Sequence, residues 1–383
     1  MSTTKTPSDS IPRRDFIKTV GYTAVSAAIL SPAISAFGQD KPEITETVAL
    51  VGCAHIHTPE YVSVLKRREG LRVKYVWDHK KERAEKNAKS FAGSTVVEDL
   101  NVIWSDPAVK AVVICSETDR HLDLVLAAAK AKKHMFAEKP LGITAADSHA
   151  MAAAIEKENL LFTTGYFKRT EPANLFLKEQ VEKGSFGKIT RVRGSTCHSG
   201  SLGRWFDSAD LRWMADPKIA GVGAFGDLGT HSLDILMWMF GEVQSVTADI
   251  KVVAGNYGDC DESGEALLRF KNGITGTLAA GWVDVDDPIS LLISGTEGHA
   301  MVDQNKLYIK SKHVKDSNGN AADGKHPWTE LPPSLPRPMF QFLDAISGKQ
   351  GLPLVTPREA AARVSVMEAA YKGARTRTWA EPA

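Results

Sequence analysis

From Thr47 onward the chain alternates short apolar runs with stretches of helical periodicity. Residues 48–51 and 73–77 are apolar runs, and between them Thr58-Pro59-Glu60 opens a helix that Gly70 ends. Thr58 is the expected N-cap, with proline in the first turn. Residues 111–115, 134–137 and 161–164 repeat the apolar runs, with helical segments over 118–132 and 145–158 among them. Apolar runs that alternate with helices predict βαβ units and a parallel sheet.

The pattern then changes. A helix over 172–183 stops at Gly184, and the remainder is rich in strands: 188–197, 243–253, 266–270, 274–282, 289–294 and 306–309. Turn signals such as Lys271-Asn272-Gly273 favour antiparallel pairing. Asp316 to Lys325 reads as an exposed loop. Thr356-Pro357-Arg358-Glu359 is a capping box opening the last helix, which is expected to pack back on the first half. The predicted fold is α/β: an N-terminal Rossmann parallel sheet over 45–166, then an α+β domain over 167–376 with a large, mostly antiparallel open sheet. A chain of 383 residues is long enough for two such domains.

Composition narrows the function classes only a little. The net charge is +1 with 24% charged residues, so nothing points to nucleic acid. The four cysteines, Cys53, Cys115, Cys197 and Cys260, lack metal-like spacing. Cys53 and Cys115 end neighbouring strands, and buried free thiols are expected there rather than a disulfide. The N-terminus is more informative. Arg13-Arg14-Asp15-Phe16-Ile17-Lys18 precedes a small-residue apolar stretch over 19–37, too short to favour a permanent span. Residues 1–40 are therefore read as a twin-arginine signal peptide, with the export machinery as partner and the periplasm as destination.

Two segments carry candidate chemistry. His134-Met135-Phe136-Ala137-Glu138 is a strand that ends at Lys139-Pro140, placing an ammonium where open α/β sheets bind ligands. Gly221-Val222-Gly223-Ala224-Phe225-Gly226-Asp227 is a glycine-rich loop running into an apolar helix. Asp227 and His231 are four residues apart, hence on one helical face, and an Asp that orients an imidazole is an acid/base device. After the first strand, Gly52-Cys53-Ala54-His55-Ile56-His57 keeps only the first glycine of a dinucleotide fingerprint. Asp78 at the tip of the second strand can accept from the adenosine ribose hydroxyls and repels a 2′-phosphate, so NAD is favoured over NADP. The His55-x-His57 spacing also opens the metal site of amidohydrolase barrels. A barrel needs about eight βα units, more than this chain shows, so the histidines are assigned to the cofactor mouth and no metal is expected.

The segments Glu138-Lys139-Pro140 and Gly221 to Asp234 resemble the Gfo/Idh/MocA family, over roughly residues 46–376. The middle glycine of the family's Gly-Gly-Gly run is Val222 here, while Asp227, Gly229, His231 and Asp234 match. The resemblance implies an oxidoreductase acting on CH–OH of a sugar or polyol. It implies Lys139, Asp227 and His231 as catalytic residues, with lysine and histidine exchangeable as the base. It implies NAD contacts from Gly52, Ala54, His55, Ile56, Asp78, Ser116, His121, Glu138 and Lys139. Tyr166, Arg169, Arg204, Trp205 and Trp213, aromatics interleaved with cations, suit a sugar. The family also implies a homo-oligomer through the open sheet. An exported enzyme must keep its cofactor, which suggests a two-substrate oxidoreductase or, alternatively, a glycoside hydrolase or lyase that oxidises its sugar transiently.

Overall fold

The computed structural model describes residues 44–383; the twin-arginine motif lies outside them. Among the described residues no helix is long and apolar enough to cross a membrane. Strands β1 (Glu46–Val51), β2 (Leu71–Trp77), β3 (Thr95–Val96), β4 (Ala111–Ile114), β5 (His134–Ala137) and β6 (Phe162–Thr163) form a parallel sheet in the order β3-β2-β1-β4-β5-β6. Helices α1 (Thr58–Arg67), α2 (Lys81–Ala88), α3 (Asn101–Ser105), α4 (His121–Lys130) and α5 (Ala145–Lys157) connect these strands. Alternate residues of β1 explain the layering. Val48 and Leu50 face a core shared with Tyr61 and Leu65, whereas Ala49 and Val51 face one shared with Leu124 and Ile155.

The chain continues through α6 (Pro172–Glu182), β7 (Ile189–Cys197), α7 (Pro217–Ala220) and α8 (Ala224–Phe240). The strands β8 (Val243–Lys251), β9 (Ser263–Phe270), β10 (Thr275–Gly281), β11 (Ile289–Gly295), β12 (Gly298–Asp303), β13 (Lys306–Lys315) and β14 (Ala321–Asp323) follow, then α9 (Pro338–Ile346) and α10 (Pro357–Thr376). The second sheet has eight strands in the order β14-β13-β12-β11-β7-β10-β9-β8, antiparallel except for β10 on β7. Along β9 buried and exposed residues alternate: Ala266 and Leu268 pack towards α8, while Glu265, Leu267 and Arg269 face solvent. The observed architecture is the α/β class read from the pattern. Several details differ, among them the edge strand β3 and the helix α9, which the pattern did not announce. Thr58 is the first helical residue, with His57 in the cap position and no side-chain cap. β12 and β14 were not anticipated, the latter within the expected loop. The capping box on α10 forms as expected, and α10 packs against both α5 and β8.

Candidate active site

Glu138 and Lys139 follow β5 directly, so both emerge at the carboxyl edge of the parallel sheet. Lys139 Nζ donates to Asp227 Oδ1 at 2.6 Å and to the Asp227 carbonyl at 3.1 Å. Trp282 Nε1, just past β10, donates to Asp227 Oδ2 at 3.2 Å. Asp227 is thus gripped from both sheets. Burial alone would raise its carboxyl pKa, but the Lys139 ammonium outweighs burial and holds it below the usual range.

Close packing explains the glycines at the start of α8. A Cβ on Gly223 would lie 2.3 Å from Asp261 Oδ2. Asp261 accepts the Phe225 N–H at 2.8 Å, and the Tyr371 hydroxyl accepts the Gly223 and Gly226 N–H groups at 3.1 Å each. Two residues far along the chain therefore satisfy orphan donors of the helix N-terminus. Val222 packs onto Gly226, whose Cβ would lie 2.4 Å from that of Val222.

His231, one turn further on, does not pair with Asp227, so the expected orienting contact is corrected. Asp227 is committed to Lys139 and Trp282, while the imidazole packs edge-on to Tyr166 and against Phe167 with centroids 6.2 and 5.2 Å away. Its Nδ1 is buried without a hydrogen-bond partner. Burial drives its pKa well below the ordinary value, and Lys139, Lys168 and His57 add to the shift. A neutral imidazole with an uncommitted ring nitrogen can take a proton.

The residues expected to contact the cofactor lie where β1 and β4 part. Gly52 has φ +86°, and a Cβ there would lie 2.5 Å from the Ser116 nitrogen, so only glycine fits this turn. Ala54 and His55 donate their N–H groups to the Cys115 carbonyl at 2.9 and 3.0 Å. Ile56 packs on the second domain's core. Asp78 is drawn inward: its oxygens accept the Cys53 N–H at 2.7 Å and the Lys80 N–H at 2.8 Å. Ser116 Oγ donates to the Glu117 carbonyl, and His121 Nδ1 lies 3.1 Å from the Leu141 carbonyl oxygen. The tight Gly52 turn, with Asp78 at the tip of β2 and Glu138 at the tip of β5, is a donor and acceptor set that fits a dinucleotide. The cysteines are free and Cys53, Cys115 and Cys260 are buried, as expected.

His55, His57 and Glu138 converge, a grouping whose third member lies too far along the chain for spacing to reveal. Their ligating atoms lie within 4.8 Å of one another. Glu138 Oε1 is 3.1 Å from His57 Nδ1 and also accepts from the Tyr61 hydroxyl.

The expected substrate residues divide. Arg169 is structural: Nε and Nη2 bind Asp234 at 2.8 and 2.6 Å, and Nη1 binds Glu359 at 2.8 Å, so each of its three nitrogens is engaged within the fold. The Tyr166 hydroxyl is 2.8 Å from Thr230 Oγ1, buried behind His231. Trp213 Nε1 donates to the Ala54 carbonyl at 3.2 Å, on the cofactor loop rather than in a sugar pocket. Trp205 packs on His198 with centroids 4.7 Å apart, and Arg204 pairs with Asp207 at 2.9 Å; both are exposed. Lys168, which sequence reasoning passed over, donates to Thr196 Oγ1 at 2.7 Å, and burial lowers its pKa.

Residues 47–166 match the family described as "Oxidoreductase family, NAD-binding Rossmann fold", and residues 175–301 match the "GFO/IDH/MocA C-terminal domain". The chain belongs to the Gfo/Idh/MocA family. Among relatives, levoglucosan dehydrogenase of Pseudarthrobacter phenanthrenivorans is 30% identical over 57% of this chain and 61% of its own length. Myo-inositol 2-dehydrogenase of Thermotoga maritima is 32% identical over 52% of this chain and 58% of its own. The chain thus spans about three fifths of these two relatives. A levoglucosan dehydrogenase structure in complex with NADH and levoglucosan shares the fold, with a TM-score of 0.70 and 23% identity over 88% of this chain and 99% of that one. Family membership accounts for the Rossmann crevice as an NAD-binding one.

Proposed function

We propose that this protein is an exported oxidoreductase that moves hydride between a CH–OH group of a sugar, polyol or derivative and a tightly held nicotinamide cofactor, NAD in preference to NADP. The observation that carries this reading is the Lys139–Asp227 pair at 2.6 Å, with the unpartnered His231 imidazole one helical turn beyond. When bound, NAD supplies the hydride acceptor. The His231 imidazole takes the hydroxyl proton. Lys139, held by Asp227, hydrogen-bonds the reacting oxygen and offsets its growing negative charge. Gly52, Ala54, Ser116, Asp78 and Glu138 would hold the cofactor. The relatives named for levoglucosan and inositol support a polyhydroxylated substrate. Arg13-Arg14 supports twin-arginine export, and the open face of β9 suits a second copy of the chain.

The test is turnover of Lys139→Ala and His231→Ala against a panel of sugars and polyols, following reduction of the nicotinamide. Losses of about 10²–10⁴-fold are expected in each. Near-normal rates in both would remove the assignment. Product released without net reduction would instead mark a hydrolase or lyase.

A further inference from the structure

Four consecutive backbone N–H groups, Gly223 to Gly226, stand at the start of α8, and two residues from elsewhere in the chain hold all four. Gly223 and Gly226 donate to the Tyr371 hydroxyl, and Phe225 donates to Asp261 Oδ1. The Ala224 N–H donates to the Asp261 carbonyl at 3.0 Å. The Tyr371 hydroxyl in turn donates to Asp261 Oδ2 at 2.9 Å, which engages its one proton and both lone pairs. A side chain in the cap position normally holds such groups, but here that position is Gly223. Asp227 is the next residue, and its N–H makes an intrahelical bond, to the Gly223 carbonyl at 2.9 Å. The Asp227 carboxylate therefore stands on a helical turn that Tyr371 and Asp261 fasten.

Asp261 also fixes what Asp227 faces. It is followed by Glu262, just before β9. The Asp261 carbonyl holds Ala224, and the Glu262 carbonyl accepts the Trp282 N–H at 2.8 Å. Consecutive peptide groups thus set the start of α8 against Trp282, whose indole donates to Asp227 Oδ2 at 3.2 Å. On its other side Asp227 meets Lys139 Nζ at 2.6 Å. Bonds of this type run from about 2.7 to 3.2 Å, so a shift of about 1 Å in the first turn of α8 would break one of them. An unfastened first turn has no partners of its own for these N–H groups. The support behind Tyr371 is firm: α10 has a complete capping box and packs on α5 and β8. The Tyr371 ring also meets Phe225 edge-on, with centroids 6.0 Å apart.

We propose that Tyr371 and Asp261 are positioning residues for the hydride reaction. They set Asp227 between Lys139 and Trp282, and through Asp227 they aim the Lys139 ammonium at the reacting oxygen, a role that rests on the reading of Lys139 given above. Both act at a distance from the substrate, since their polar atoms are engaged with α8 and with one another.

Two measurements on the purified protein test this. In the first, the tryptophans carry ¹⁵N, and the Trp282 indole resonance reports the Asp227 contact without any substrate. That resonance is identified by its loss in Trp282→Phe. Tyr371→Phe keeps the ring and removes only the hydroxyl, and it should move the resonance, as Asp227→Asn should. In the second, nicotinamide reduction is followed with the most active compound of the sugar and polyol panel. Tyr371→Phe should lower kcat about 10–100-fold, the scale of a misplacement of about 1 Å. KM should stay nearly unchanged, the mark of support given only in the transition state. Asp261→Asn, which keeps an oxygen for the Phe225 N–H, should lose less than Asp261→Ala. Because both residues act through Asp227, Tyr371→Phe combined with Asp227→Asn should be no slower than Asp227→Asn alone, whereas a merely structural role would add its own loss. An unmoved indole resonance in Tyr371→Phe, a kcat equal to the parent's, or additive losses would overturn the proposal. Should Asp261→Ala fail to fold, Tyr371→Phe still decides. Absence of any turnover in the parent would instead sink the hydride reading, and the indole resonance would still decide whether Tyr371 and Asp261 hold Asp227 in place.

Discussion

At the scale of single residues, the pairing of charges decides which groups can do chemistry. Lys139 and Asp227 hold one another, and His231 is left buried, neutral and without a partner. An unshifted imidazole is half protonated near pH 6.5, where a base would begin to fail. Burial moves His231 well below that value, so the protonated form is reached only at lower pH. The kcat/KM profile is therefore expected to stay flat from neutral pH down through 6.5 and to fall only further into the acid range. A half-maximal point at or above 6.5 would show that His231 is not the base, or that it is not buried as described. The identities of Lys139, Asp227 and His231 were legible in the sequence because glycine spacing and a strand end mark them. Their pairing was not. The i,i+4 rule puts Asp227 and His231 on one helical face, but an aspartate in a first turn also looks outward, and a lysine 88 residues earlier reached it first.

At the scale of elements, Asp234 does what the loop residues were expected to do, but for the fold. It accepts from Arg169 twice and from Arg363 Nε at 2.9 Å, and Arg169 reaches on to Glu359. One buried carboxylate thus ties α8 and α10 to the segment before α6. Removing the central carboxylate leaves two buried guanidinium groups with only Glu359 to share, at a cost of about 3–5 kcal/mol. Asp234→Ala is expected to lose that much in denaturant unfolding, and a loss under about 1 kcal/mol would show that water relieves the site. Sequence alone read Arg169 as a sugar ligand, because an arginine beside aromatics looks the same whether its carboxylate is a substrate or a neighbour. The same limit hid β12. Its turn into β13 places Gln304 and Asn305 at φ +45° and +63°, the geometry of a two-residue hairpin that normally announces itself as Asn-Gly. Five of the six strands of the parallel sheet were legible because continuous apolar runs bounded by helices leave few alternatives, whereas the two-residue edge strand β3 is too short to leave a pattern.

At the scale of the whole molecule, the loop between β7 and α8 reaches across to the first domain beside the Rossmann crevice. Arg83, on α2, binds Asp210 through Nε at 3.2 Å and Glu117 through Nη1 at 2.7 Å. Trp213, from the same loop, donates to Ala54 and lies 6.1 Å from the His55 ring. These contacts join the second domain to the turn after β1 and to α2, which follows the tip of β2, around the crevice where a dinucleotide would lie. A cofactor under this loop leaves only when the loop lifts, so the contacts act chiefly on the rate of release. Such retention is what the proposed export would require, since nicotinamide lost outside the cytoplasm would not be recovered. Arg83→Ala and Trp213→Ala are therefore expected to bind NAD but to lose it during dialysis, at rates about ten-fold or more above the parent for each ~1.4 kcal/mol of clasp removed. The measurement is the fraction of nicotinamide retained against time, read by absorbance after denaturation. Asp210 is half exposed, so its ion pair is screened and Trp213→Ala should show the larger effect. Retention equal to the parent in both variants would mean that the loop closes beside the cofactor rather than over it, and the argument for a captive cofactor would then rest on the export motif alone.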